Sequence, residues 1–355
     1  MSEAPGVTSD RAWTFDAVES VSRTFALSID LLEEPVASWV CTGYLLCRIA
    51  DTVEDDPSIP PGVRADLLET YDAVLDPAEE TDVEAFLEAV EPVRPDDPGA
   101  EDDDSDWQVV VDADRVFRVF DSFDPPVKAA MRPVVREMAS GMAGFLRRYA
   151  DEGGLRLRTI DELEEYCWYV AGTVGKLFTN LLEYYGTGWP TPDPEDARAF
   201  ALLLQLVNVA RDVRADYETE NNVYLPAEWL AEEGIDHAAV GDASRSAAVD
   251  RVVRRLVDHA ATYAPGARRY LECVPEGDAM LLEAAGLPYL LALGTLRELR
   301  ERSRESVDQA STVKLPREEV EALFAEVDDG LTQTELTRLA EAVRAGPYHR
   351  SDASI

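Results

Sequence analysis

The chain has 355 residues, 46% of them apolar, and carries 71 Asp+Glu against 33 Lys+Arg for a formal net charge of -38. That length and apolar content suffice for a packed core and exclude a disordered chain over most of its extent. A surface this negative excludes a sequence-independent nucleic-acid binder, because it repels phosphate. Only Lys128, Lys176 and Lys314 are lysines; acid excess with lysine depletion is the composition of a protein working in very high salt, where screening removes self-repulsion.

The first residues lack a basic n-region and an apolar h-region, so no signal peptide is expected, and residues 1–15 read as an N-terminal tail. Helical periodicity then dominates, in Val36–Ala50, Val127–Tyr149, Ile160–Tyr185, Pro194–Tyr217, Ala247–Leu271 and Ala279–Glu305. The alternating run Trp107–Val111 is the one strand candidate. The class expected is all-α, a single large helical bundle around a central cavity. Residues 16–310 are expected to form it, followed by a helical segment and tail over 311–355. The apolar runs Ala199–Ala210 and Ala279–Leu296 are interrupted by polar residues or proline, so no transmembrane segment is expected. Cys41, Cys47, Cys167 and Cys273 have no metal-ligand spacing and read as buried reduced thiols of a cytoplasmic protein.

In the first strongly apolar helix, Tyr44, Arg48, Asp51 and Asp55 fall at i, i+4, i+7 and i+11, one stripe flanked by Leu45, Leu46, Ile49 and Val53. Glu54 borders it. Carboxylates one turn apart repel each other and need a cation between them. Between Asp76 and Asp106 come fourteen carboxylates and one base, Arg94, with Pro92, Pro95, Pro98 and Gly99 as breakers; Asp96–Asp106 reads as a solvated or disordered loop in an acidic insertion. Further on, Asn208, Asp212 and Asp216 repeat the stripe at i, i+4 and i+8, beside Arg211. Two such stripes offer hard oxygen ligands suited to Mg2+ or Mn2+, with Mg2+ sharing its shell with substrate phosphates. Arg48 and Arg211 suit bidentate binding of diphosphate oxygens. Gly141, Gly172 and Gly175 suit close helix contacts or cavity space. Gly186-Thr-Gly188 lacks a third glycine and a preceding strand, which excludes a dinucleotide loop.

Asp51-Thr-Val-Glu54-Asp55 and Asn208-x-x-Arg211-Asp212-x-x-x-Asp216 resemble the two aspartate-rich motifs of the squalene and phytoene synthase family of head-to-head prenyl synthases. Ser22-Arg23-Thr24-Phe25 is similar to the family's N-terminal signature, Tyr166-Cys-Trp-Tyr169-Val-Ala-Gly172-Thr-Val-Gly175 to its central tyrosine block, and Tyr224-Leu-Pro226 to the tripeptide after the second motif. The likeness runs from about Ser22 to Leu296.

The resemblance implies an isoprenoid-synthase fold, and Mg2+ held by Asp51, Glu54, Asp55, Asn208, Asp212 and Asp216 on the diphosphates of two prenyl donors. It implies diphosphate binding by Ser22, Arg23, Phe25, Arg48, Asn208 and Arg211, and places Tyr169 for proton transfer. Carbocations need a dry, aromatic-lined cavity, for which Phe25, Tyr44, Tyr169, Phe178 and Phe200 are the wall candidates. The acidic continuation to Asp56 and the segment Arg136–Leu146 lean to the branch that joins two farnesyl diphosphates through a cyclopropyl intermediate and reduces the product with NADPH. The alternatives are two geranylgeranyl diphosphates joined without reductant, or an unreduced C30 product. Lys314 is a candidate contact for NADPH or diphosphate. Asn222 stands where the family usually has a basic residue. The expected protein is a monomer that delivers a lipophilic product at the membrane surface without spanning it.

Overall fold

The computed structural model describes residues 5–95, 105–185, 190, 192–275, 278–308 and 313–350. Its helices in chain order are α1 Pro5–Val21, α2 Arg23–Asp30, α3 Val36–Asp55, α4 Pro61–Leu75, α5 Val83–Val90, α6 Ser105–Val111, α7 Ala113–Ser122, α8 Pro125–Arg148 and α9 Ile160–Cys167. Then follow α10 Thr173–Tyr185, α11 Pro194–Ala215, α12 Ala227–Glu232, α13 Ser246–Ala261, α14 Ala264–Glu272, α15 Ala279–Asp308, α16 Arg317–Asp328 and α17 Gln333–Ala345. Among the described residues there is no strand, only an isolated bridge between Arg156 and Val223. The all-α class read from periodicity is the class found.

Contacts group the chain into two compact units, one of Met1–Asp151 with Thr173–Gly188, the other of Glu152–Gly172 with Trp189–Ile355. In the first unit α3 is the central element: α1, α4, α6, α8 and α10 pack against it, and Val40, Leu45, Leu46, Ile49 and Val53 are sealed from solvent. In the second unit α11 and α15 pack together and are flanked by α13 and α14.

Local chemistry sets the helix ends. Ser22 caps α2 by accepting from the Phe25 amide at 3.3 Å, and Thr159 caps α9 through the Glu162 amide. Asp193 caps α11, whose first helical residue is Pro194. Thr332 and Glu335 form a reciprocal capping box on α17.

Several expectations change. Residues from Pro5 onward, read as a tail, form α1, because Asp10, Thr14, Ala17 and Val18 are buried on one side of it. The strand candidate Trp107–Val111 is helical, part of α6, with Trp107, Val109 and Val110 buried where α6 meets α3. The acidic insertion is not loop throughout: Asp82 caps α5, which buries Phe86 and Val90, and Ser105 opens α6; residues 96–104 lie outside the described part. The expected long helices over Ile160–Tyr185 and Pro194–Tyr217 each pass into a π-helical turn, Trp168–Gly172 and Asp216–Glu220. Ala247–Leu271 is broken after Ala261 into α13 and α14. Cys41, Cys47 and Cys167 are buried, Cys273 is partly exposed, and all four are free thiols. The helix α15 is long and apolar enough to cross a membrane, but 78% of its most apolar window is buried inside the protein.

Candidate active site: two acidic helices, one in each unit

In the first unit, α3 continues to Asp55 and so carries the whole first motif on one helix. Asp51 and Asp55 keep partial exposure, whereas Glu54 is only 2% exposed and already engaged. Arg48 organises the stripe. Its Nη1 donates to Asp51 Oδ2 at 2.7 Å and its Nη2 to the Val21 carbonyl at 3.0 Å, while its Nε lies 3.4 Å from Asp106 Oδ1. Burial disfavours this guanidinium's charge, but the Tyr44 oxygen and the carboxylates of Asp51, Asp106 and Asp55 outweigh it and hold the arginine above its usual value. The Tyr44 ring stacks on Phe25 with centroids 4.1 Å apart, and the Arg48 guanidinium carbon lies 5.9 Å from the Tyr44 centroid. Burial pushes the Tyr44 hydroxyl up. Ser22, Phe25, Tyr44, Arg48 and Asp51 are thus gathered at one place, while Arg23 is exposed. Phe178 sits half-buried on α10.

Residues outside the motif hold this helix. The Tyr71 hydroxyl donates to the Leu46 carbonyl at 2.9 Å, and the buried Arg64 donates to the Glu54 carbonyl near the C-terminal end of α3. A cation there suits both the unsatisfied carbonyls and the helix dipole. The Trp107 indole donates to Asp56 Oδ2 at 2.9 Å.

In the second unit, α11 presents Asn208, Arg211 and Asp212, all partly exposed, and passes into the π turn at Asp216. Arg211 binds Asp212 as a fork, Nε to Oδ1 at 2.9 Å and Nη2 to Oδ2 at 2.5 Å. Asp216 is pushed up to about 9, first by burial and then by the charges of Glu220 and Asp212, which Arg211 only partly offsets. The Glu220 carboxylate accepts from Asn222 Nδ2 at 3.1 Å and from the Tyr224 hydroxyl at 3.5 Å. The Tyr166 and Tyr224 rings stack at 5.1 Å with their hydroxyls 3.3 Å apart. The second motif is thereby joined to the tyrosine block. Tyr169 sits half-buried on the π turn Trp168–Gly172, which packs against α11.

Asn222, where a basic residue was expected, is 3% exposed and does structural work. Its Oδ1 accepts from the Leu155 amide at 2.8 Å and its Nδ2 donates to the Tyr224 oxygen at 3.1 Å. Phe200 is buried against Tyr270 at 5.0 Å, a contact between α11 and α14. Lys314 is exposed, just ahead of α16.

Both donor sets are carboxylate and amide oxygens, and the crowding around Asp216 is relieved by a cation. These residues fit Mg2+ or Mn2+. Among the described residues no three His, Cys, Asp or Glu side chains converge into a preformed cage; Mg2+ is commonly held by one or two carboxylates with substrate phosphates completing its shell.

Sequence reasoning missed Glu220, Asp106, Arg64 and both π turns. A signal for Glu220 was its place four residues after Asp216; none of the others carries a local signature.

The chain is similar to known proteins over most of its length. The chain is 25% identical over 287 residues to the squalene synthase of Eremothecium gossypii, covering 79% of this chain and 60% of that protein. It is 26% identical to squalene synthase 1 of Arabidopsis thaliana, covering 79% and 63%. The chain therefore aligns with less than two thirds of the length of these relatives. Among solved structures, the complex of TcSQS with the ligand BPH1237 superposes with a TM-score of 0.78 at 24% identity, over 97% of this chain and 93% of that one. A dehydrosqualene synthase in complex with ligand superposes with a TM-score of 0.60 at 22% identity, over 91% and 96%. At those identities the likeness is one of fold, the all-α fold of isoprenoid synthases. The squalene/phytoene synthase family profile matches residues 18–319, and the chain belongs to that family.

Proposed function

We propose that the protein is a squalene synthase, joining two farnesyl diphosphates head to head through a cyclopropyl (presqualene) diphosphate to squalene, with release of diphosphate and reduction by NADPH. The observation that carries the reading is an arginine bound to a carboxylate of each aspartate motif: Arg48 on Asp51 and Arg211 on Asp212. Each pair sets a guanidinium beside motif carboxylates, where it can receive diphosphate oxygens in a protein of net charge -38.

Asp51 and Asp55 on α3, with Glu54 behind them, and Asn208, Asp212 and Asp216 on the second unit supply oxygen donors for Mg2+. When bound, Mg2+ neutralises the leaving diphosphate and NADPH supplies the hydride. Arg48 and Arg211 orient diphosphate oxygens, with Ser22 and Arg23 adding donors. Stacked Phe25 and Tyr44, together with Phe178, exclude water from cationic carbon and present π faces to it. Tyr169 holds the proton to be moved at its hydroxyl oxygen. Lys314, exposed just ahead of α16, is the proposed contact for NADPH.

A dehydrosqualene-forming reaction without reductant is the second reading, favoured by the structural likeness to a dehydrosqualene synthase. The protein is further proposed to act as a cytoplasmic monomer, in high salt, delivering its lipophilic product at the membrane surface. Purified protein in high salt with farnesyl diphosphate, Mg2+ and NADPH is expected to yield squalene. An unreduced C30 product under the same conditions supports the second reading. Phytoene from the C20 donor, with no turnover of the C15 donor, refutes both.

A further inference from the structure

Arg48 has three sets of partners, and one comes from the acidic insertion. Nη1 and Nη2 make hydrogen bonds of ordinary length to Asp51 and the Val21 carbonyl. Nε is different: it is buried and has no hydrogen-bond partner, yet it faces Asp106 Oδ1 at 3.4 Å. That contact is an ion pair held by charge without hydrogen-bond alignment, and an anion able to approach Nε squarely competes with it. Asp106 is nonetheless well placed. It lies in the first turn of α6, which is tied to the end of the aspartate motif by the Trp107 indole on Asp56 at 2.9 Å and seated by the buried Trp107, Val109 and Val110. The side chains of Arg48 and Asp106 are 21% and 36% exposed, so solvent screens the pair only in part.

We infer that Asp106 is a positioning residue for substrate binding: it is the counter-ion of Arg48 at Nε, and it weakens the grip of that arginine on diphosphate. The inference rests on reading Arg48 as a diphosphate-binding residue. Asp51 and Asp55 belong to the proposed metal-binding stripe, so their charge is compensated when the cation arrives; Asp106 belongs to no such stripe and keeps its hold on Arg48 Nε when the anion arrives. A carboxylate in this place keeps the arginine in a fixed orientation before substrate enters and lets product diphosphate leave afterwards. It also gives a defined part to the last carboxylate of the acidic run.

The test is the dissociation constant of inorganic diphosphate with Mg2+, measured by calorimetry at one ionic strength for the wild type, Asp106→Asn, Arg48→Gln and the double variant. Asp106→Asn is expected to tighten binding about two- to fivefold, the range for a partly screened ion pair, and to lower KM for the prenyl diphosphate. A residue that only supports the fold does not tighten a ligand when it is removed. In the Arg48→Gln background, Asp106→Asn is expected to have no further effect. If Asp106→Asn leaves binding unchanged or weaker while Arg48→Gln weakens it, the counter-ion role is overturned and the assignment of Arg48 stands. If Arg48→Gln changes nothing, the assignment of Arg48 fails and this inference with it. Asp106→Ala, which cannot hydrogen-bond, separates charge from shape: equal tightening in both variants is the expected outcome, and tightening in Asp106→Asn alone overturns the charge argument.

Discussion

Replacing Asp10 by asparagine removes one charge from the joint between α1 and α7. The Asp10 carboxylate accepts from Arg118 Nε at 2.7 Å and from Arg115 Nε at 3.0 Å, and its side chain is 10% exposed. The Arg118 hydrogen bond, opposed by burial and reinforced by Arg115, holds the carboxyl below the usual carboxylate range. A hydrogen bond to a charged group contributes about 1.5–3 kcal/mol. The arginines are 26% and 48% exposed, Arg118 keeps Asp114 as a partner, and asparagine still accepts one bond. The net loss is therefore expected at about 1–2 kcal/mol near neutral pH. Because the folded pKa is depressed, this stabilisation is complete above the unfolded carboxyl value of about 3.9 and fades as pH falls through the folded value. Urea midpoints of wild type and Asp10→Asn, taken in the same salt at neutral pH and near pH 3, measure it. The two proteins should differ at neutral pH and converge in acid. A difference that persists unchanged in acid, or none at neutral pH, refutes the reasoning.

Glu319→Ala should cost more, about 2–3 kcal/mol, since it removes one of two carboxylates from the buried Arg297, which keeps Glu298 and the Val343 and Gly346 carbonyls, and leaves the Tyr348 amide unpaired; hydrogen exchange at that amide should accelerate about thirtyfold or more. Gly172→Ala puts a methyl 2.3 Å from the Trp168 ring, so the π turn must shift at about 1–3 kcal/mol; turnover is expected to fall by about two orders of magnitude through displacement of Tyr169, with near-UV circular dichroism reporting the moved indole. Asp51→Asn and Asp212→Asn should each abolish diphosphate release while far-UV circular dichroism stays unchanged; undiminished turnover in either removes the metal assignment.

Both acidic stripes were legible because α-helical spacing is local: Arg48, Asp51 and Asp55 needed only to lie on one helix, and α3 supplies it. The same local logic failed at Trp107–Val111. An indole and three valines favour a strand in isolation, but the burial offered by α3 decides for helix, a tertiary override of β propensity. Asp106 was counted with solvated charge because its partner lies 58 positions upstream in sequence, a distance no periodicity reports. The π turns were invisible for a related reason. One extra residue in a turn leaves the apolar pattern nearly intact while rotating everything after it, so Glu220 comes to the hydroxyl of Tyr224 and the amide of Asn222. Asn222 itself was noticed as a departure, but only its burial reveals a linchpin between Leu155 and Tyr224.

Arg297 on α15 gathers groups from two helical neighbours. It bonds Glu319 on α16 through both carboxylate oxygens at 2.9 and 2.8 Å, and the carbonyls of Val343 and Gly346, at the end of α17, at 2.7 and 2.8 Å. The family profile matches as far as residue 319, so half of this knot is tied by chain beyond the matched stretch. On the same face of α15, Gly286 admits Leu331 and Leu336, and Gly294 admits Leu315 and Val343. The chain downstream of residue 319 is thus not decoration on a finished bundle. Whatever follows that point must close the hydrophobic flank of α15 and satisfy a guanidinium already committed to the interior, and any homologue without α17 is expected to carry either another lid or a different residue at position 297.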